Sequence, residues 1–217
     1  VVCASVLWST DYDDAISNRD VFACHGLDAA GNIYAGGTQT VPAGCCALSS
    51  QSLFRKYDPQ GALVWSRTVD LNEIHDAQTN AVGESALAGI GPDGSSWAVV
   101  KVDANGVTLW TRSYNTIPLF PIAANGVTIA PNGDVIAVGY EIVVGEGLNW
   151  RVLKYDSLGA LAWSVSYNSP GSRDDVAQSV EVDSSGNVIV AGYEDRVDLG
   201  EGLNWIVRKY SPTGTLL

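Results

Sequence analysis

The sequence predicts an all-β fold, a β-propeller of four four-stranded blades, on the strength of three repeating residue tracks. The first is lysine: Lys56, Lys101, Lys154 and Lys209 recur at intervals of 45, 53 and 55 residues. The second is tryptophan. Trp8, Trp65, Trp110 and Trp163 each follow an apolar residue and precede Ser or Thr. Trp97, Trp150 and Trp205 each lie four residues before a repeat lysine, where the first copy has Ser52. The third is glycine: Gly31, Gly83, Gly133 and Gly186 lie six residues before Gly37, Gly89, Gly139 and Gly192. A literal repeat supports the register, since Gly145-Glu146-Gly147-Leu148-Asn149-Trp150 recurs unchanged from Gly200 to Trp205.

Each copy divides into four short strands punctuated by turn signals. In the last copy these are 177–183, 187–193, 205–210 and an outer strand from Thr215. Asp28-Ala-Ala-Gly-Asn32 and Asp183-Ser-Ser-Gly-Asn187 join first to second strands, and Asp58-Pro-Gln-Gly61, Asp103-Ala-Asn-Gly106 and Asp156-Ser-Leu-Gly159 join third to fourth. Strands apolar on both faces, such as Trp150-Arg-Val-Leu-Lys-Tyr155, fit blades packed between other blades. No helical periodicity interrupts them. The repeat units run over 9–65, 66–110, 111–163 and 164–217 of a single domain. Ser5-Val-Leu-Trp8 reads as the outer strand missing after Gly214, so the N-terminal strand 1–8 is expected to complete the last blade and close the ring. A larger propeller, or a fibre of such units, divided at a blade boundary is the alternative.

Composition narrows the function classes. Hydrophobic residues make up 46% and charged residues 17%, the balance of a packed globular chain. A net charge of −12 is opposite to what nucleic-acid phosphates require, and no apolar run is long enough for membrane insertion. The absence of methionine suggests a processed or excised piece. Four cysteines with no zinc or haem spacing, in a chain rich in Ser, Thr, Asn and Gly, favour an extracellular or cell-surface setting.

The segment Asp174-Asp-Val-Ala-Gln-Ser-Val-Glu-Val-Asp-Ser-Ser-Gly-Asn-Val-Ile-Val-Ala-Gly192, followed by Asn204-Trp-Ile-Val-Arg-Lys-Tyr210, resembles the bacterial β-propeller repeat called SBBP. That resemblance covers all four copies, most closely the third and fourth. It weakens in the second, where Asn80-Ala-Val-Gly83 replaces the Asp-x-x-Gly-Asn turn. It implies a propeller of secreted or surface type and brings no catalytic residues with it.

Candidate chemistry follows from loop placement. Sixteen of the twenty-four acidic residues fall in loops expected on one face. A solvated acidic rim is the simplest reading. Calcium is the next, because hard cations take clustered carboxylates, and Asp13, Asp14, Asp20, Asp174 and Asp175 are its candidate ligands. A paired-carboxylate hydrolase or lyase is the third. His25 occupies a position that is Ala77, Val127 and Val180 in the other copies, and with His75 and Asp76 it forms a candidate polar site. Cys24 with Cys45 or Cys46 is the expected disulfide, while Cys3 is left for another partner. The tryptophans are read as inter-blade packing rather than glycan stacking, and the lysines as structural cation–π or buried pairs beside them.

The expectation is thus a non-enzymatic, extracellular scaffold for binding or assembly, with a protein or surface glycan as partner and no obligatory cofactor. A calcium-dependent hydrolase or lyase, and a self-assembling surface polymer subunit, are the alternatives.

Overall fold

A computed structural model describes residues 21–42, 48–115, 122–171 and 173–217. Their strands form four antiparallel sheets that follow one another along the chain. Blade 1 comprises β1 (Val21–Leu27), β2 (Ile33–Pro42), β3 (Leu48–Tyr57) and β4 (Leu63–Val69). Blade 2 comprises β5 (Glu73–Thr79), β6 (Ser85–Ile90), β7 (Trp97–Val102) and β8 (Thr108–Tyr114). Blade 3 comprises β9 (Ala124–Ile129), β10 (Val135–Val143), β11 (Gly147–Tyr155) and β12 (Leu161–Tyr167). Blade 4 has β13 (Val176–Val182), β14 (Val188–Asp195) and β15 (Leu203–Tyr210), with a single bridge from Tyr210 to Leu216 where a fourth strand would begin.

Local chemistry explains the hairpins. Asp103 Oδ1 accepts the backbone N–H groups of Asn105 and Val107, and Asp156 Oδ1 those of Leu158 and Ala160. Asp28 and Asp183 do the same between first and second strands. In blade 2 the Asn80 side-chain oxygen takes over this task for Val82 and Glu84, so the departure from the repeat leaves the turn intact. Gly159 is required twice over. Its φ is +85°, and a Cβ there would lie 2.9 Å from the Trp110 indole.

The innermost strands β1, β5, β9 and β13 pack in sequence, and each carries a bulge at the equivalent step. Three apolar clusters fill the three junctions. One joins Tyr34 and Phe54 of blade 1 to Ile74, Leu87 and Val100 of blade 2. The next joins Trp97 and Val99 to Val127, Ala137 and Leu153. The last joins Trp150 and Val152 to Ala177, Val188 and Val190. Blades buried on both faces account for the strands that read as apolar on both sides.

The closed ring expected from the sequence is not seen among the described residues. Among the described residues no such cluster joins blade 4 to blade 1, and the fourth sheet has three strands. Trp205 on the outer side of β15 is 85% exposed, whereas its counterparts Trp97 and Trp150 are fully buried. The N-terminal strand expected to close the ring falls outside the described residues.

The turn aspartates make the fold acid-sensitive. Backbone donation, first from Val107, holds the Asp103 carboxyl below its ordinary value of 3.8, and Lys209 does so for Asp183. Groups with depressed folded values contribute stability above the unfolded value, which is lost as pH falls through the folded one. Asp76 and Asp175, raised chiefly by burial, act in the opposite sense but are fewer than the depressed aspartates. Thermal melting followed by circular dichroism is expected to show a falling midpoint below pH of about 4.

Candidate functional site

The polar groups of the described residues converge on the blade junctions. At the junction of blades 2 and 3, Trp97 Nε1 donates to the Tyr140 carbonyl at 2.9 Å and Tyr114 Oη donates to Glu141 Oε2 at 2.5 Å. The next junction repeats the pair: Trp150 Nε1 to the Tyr193 carbonyl at 3.2 Å, and Tyr167 Oη to Glu194 Oε2 at 2.5 Å. Within each donor blade the indole meets the tyrosine edge to face, with ring centroids 5.6 Å and 6.0 Å apart. The acceptors are therefore Gly-Tyr-Glu segments, 139–141 and 192–194. The glycines admit the indole, since a Cβ on Gly139 or Gly192 would lie 2.9 Å from Trp97 or 3.0 Å from Trp150.

Charge is balanced inside each clasp. Glu141 also faces Arg151 at 3.5 Å and accepts from Ser166, while Arg196 lies 3.6 Å from Glu194. Burial together with the carboxylate acceptor Glu194 pushes the Tyr167 hydroxyl up to about 12. A second set of clasps lies at the outer strands: Trp65, Trp110 and Trp163 donate to the carbonyls of Ala104, Ser157 and Pro212 in the following blade. Three of the four repeat lysines form buried or half-buried pairs, while Lys209 meets Asp183 in an exposed one. Lys101 meets Glu84 at 3.2 Å and Lys154 meets Asp134 at 3.1 Å. Lys56 adds a cation–π contact, with Tyr34 rather than a tryptophan.

The sequence-derived site residues scatter. Asp174 Oδ1 accepts the Leu148 N–H, and the buried Asp175 accepts from the backbone of Ser169 and Asp195, so both fasten the loop onto β13. Asp13, Asp14 and Asp20 fall outside the described residues. Among the described residues, no group of three His, Cys, Asp or Glu is placed to hold a metal ion. Three buried oxygens near the Asp175 loop nevertheless lack hydrogen-bond partners: Asn149 Oδ1, Asn168 Oδ1 and Asp195 Oδ1.

His25 lies exposed on the free face of β1, its ring 6.2 Å from Phe22. Among the described residues no blade covers that face, whereas the equivalent Ala77, Val127 and Val180 are buried. His75 is the bulge residue of β5 and sits 3.6 Å from Glu73. Asp76 instead accepts the N–H groups of Ala77 and Val127, bridging blades 2 and 3, so the two do not act as a pair. Cys24 is a free thiol packed in the first junction, pushed up to about 12 by burial and then by the Asp76 charge. No disulfide is seen among the described residues, and Cys3, Cys45 and Cys46 lie outside them.

Glu141 and Glu194, two of the sixteen acidic residues that loop placement puts on one face, lie inside the junctions instead. They are 5% and 8% exposed. Their signal was the Gly-Tyr-Glu repeat together with Tyr114 and Tyr167, all spaced by 53 residues. An open groove of about 340 Å³ lies between blades 3 and 4, lined by Pro131, Lys154, Ser184, Ser185 and Pro212. Its lysine is already paired with Asp134.

Solved structures share this architecture. The chain is similar to the β-propeller domain of the Trilobed protease from Pyrococcus furiosus, described as having an open velcro topology. The TM-score is 0.55 at 6% identity, covering 91% of this chain and 56% of that one. It is also similar to the RRP9 WD40 repeats, with a TM-score of 0.52 at 10% identity, covering 89% of this chain and 64% of that one. The chain has a β-propeller fold. It thus spans less than two thirds of each of these propellers. No protein-family model and no curated protein matches it.

The clasps should dominate stability. Trp150→Ala is expected to cost about 3–5 kcal/mol in a denaturant titration, whereas the exposed Trp205→Ala should change stability by no more than about 0.5 kcal/mol.

Proposed function

We propose that this propeller is a non-enzymatic, rigid scaffold that binds another protein at the cell surface, built from repeats of the SBBP type. The observation that carries this reading is where the chemistry goes. Glu141, Glu194, Lys101, Lys154, Asp76 and Asp175 are all engaged in fastening strands and blades to one another. The geometry favours a fixed surface over a reaction centre. The likeness to WD40 repeats supports the scaffold reading through the fold alone. A surface glycan is the less favoured partner, because six of the seven tryptophans lie in the described strands and five of these point into junctions. The surface location rests on the cysteine, Ser, Thr and Asn content.

The test is to cross-link the chain to its neighbours on intact cells, purify the captured protein and measure rebinding by calorimetry. Saturable binding that weakens with added salt is expected for a chain of net charge −12. Multiple-turnover activity on peptide, glycan or phosphoester substrates, lost in Asp76→Asn, would overturn the reading.

A second reading concerns calcium, and the three unpartnered buried oxygens around the Asp175 loop favour it. Carbonyl and carboxylate oxygens of this kind suit a hard cation. Bound calcium would raise the melting midpoint, reversibly on chelation. An unchanged midpoint in millimolar calcium and in chelator removes this reading without touching the scaffold one.

A further inference from the structure

We propose that the open face of β15 is a docking surface for one kind of occupant: a propeller blade with alanine on its innermost strand and Gly-Tyr-Glu on its second. The inference goes beyond the scaffold reading and holds whether or not that reading does.

The filled junctions define what such a face requires. Trp97 docks where Ala124 pairs with Gly139, and Trp150 docks where Ala177 pairs with Gly192. In both cases a large donor meets two small residues, and the tyrosine beside it finds the glutamate two positions beyond the glycine. The junction of blades 1 and 2 is the internal control. There the donor position is the small Ser52, and the innermost strand carries the large Ile74, paired with Gly89. The segment after it is Gly89-Ile90-Gly91, without tyrosine or glutamate. Size is conserved across each junction, as close packing demands, while the clasp appears only where the tryptophan does.

β15 is built as a tryptophan donor. Trp205 is 85% exposed, Leu203 64% and Val207 54%, on alternate residues and hence on one face. A row of this kind is covered in the two preceding blades, where Trp150 and Val152 are fully buried. Blade 1 does not supply the complement. The residue paired with Gly37 is Phe22, which is 65% exposed, so a second large ring stands where an alanine is needed. The acceptor segment there is Gly37-Thr38-Gln39, and Gln39 Nε2 already donates to Gln51 Oε1 at 2.8 Å. Two large rings in one slot disfavour both closure onto blade 1 and a head-to-tail second copy. Blades 3 and 4 have the required residues, but their accepting faces are filled by blades 2 and 3.

The test supplies the occupant. Residues 160–214 are duplicated immediately after Gly214, which adds an outer strand to blade 4 and then a further blade of the same type. Trp205 accessibility is read by acrylamide quenching of the parent and extended chains, each against its W205F variant, with mass from sedimentation. The parent is expected to be a monomer with Trp205 reached by the quencher. The extended chain should protect Trp205 and melt at higher temperature, and Ala177→Phe in the duplicated blade should restore access. Protection of Trp205 in a monomeric parent would show closure onto blade 1. Protection in a dimeric parent would show a second copy. Either result, or an extended folded chain that leaves Trp205 accessible, overturns the proposal. If the extended chain does not fold, Phe22→Ala with Thr38→Tyr and Gln39→Glu converts blade 1 into an acceptor. Protection of Trp205 in that variant alone supports the proposal, and continued access overturns it.

Discussion

The structure depends on one interaction, an indole and a phenol of one blade closing on a Gly-Tyr-Glu segment of the next. Backbone hydrogen bonds hold each sheet together and cross between blades at isolated points, such as the Ala29 N–H to the Ala81 carbonyl and the Asp175 N–H to the Leu148 carbonyl. Apolar burial supplies attraction there without direction. The indole N–H and tyrosine hydroxyl fix the blade against sliding, because each has one acceptor at one height. The carboxylate is tolerated in a buried setting because arginine and tyrosine both face it.

This use of charge recasts the acidic character of the chain. An excess of carboxylates suggests a surface that captures cations. Yet Asp103, Asp156 and Asp183 close hairpins, Glu141 and Glu194 receive tyrosines, and Asp76 and Asp175 bind backbone of neighbouring elements. Acidity here is to a large extent a structural ingredient. The apolar strands need hydrogen-bond acceptors at their ends and junctions, and short carboxylates provide them.

The blade was legible in the sequence because its signals are local. The strands expected over 177–183, 187–193 and 205–210 match β13, β14 and β15 to within two residues, since turn aspartates and glycines act within four positions of themselves. The paired lysines followed from strand periodicity. The junction chemistry was not legible in the same way. Glu141 sits in a loop-proximal segment that looks solvent-facing until Tyr114, 27 residues earlier, is brought across from another sheet. His25 misled for the opposite reason: its position is buried in every blade that has a predecessor covering it, and sequence alignment of copies cannot show which blade lacks one. Ring closure was inferred from strand counting, and it turns on residues 1–8, which lie outside the described residues.

The order of the clasp partners along the chain has a kinetic meaning. Hairpins closed by an aspartate oxygen within five residues form early, because their loop-closure entropy is small. At the last two junctions the indole and phenol belong to the earlier blade and the Gly-Tyr-Glu segment to the later one. During synthesis, then, blades 3 and 4 each bring acceptors to donors that are already in place. The growing propeller acts as a template for its own continuation, and contacts between distant parts of the sequence are not needed to start it.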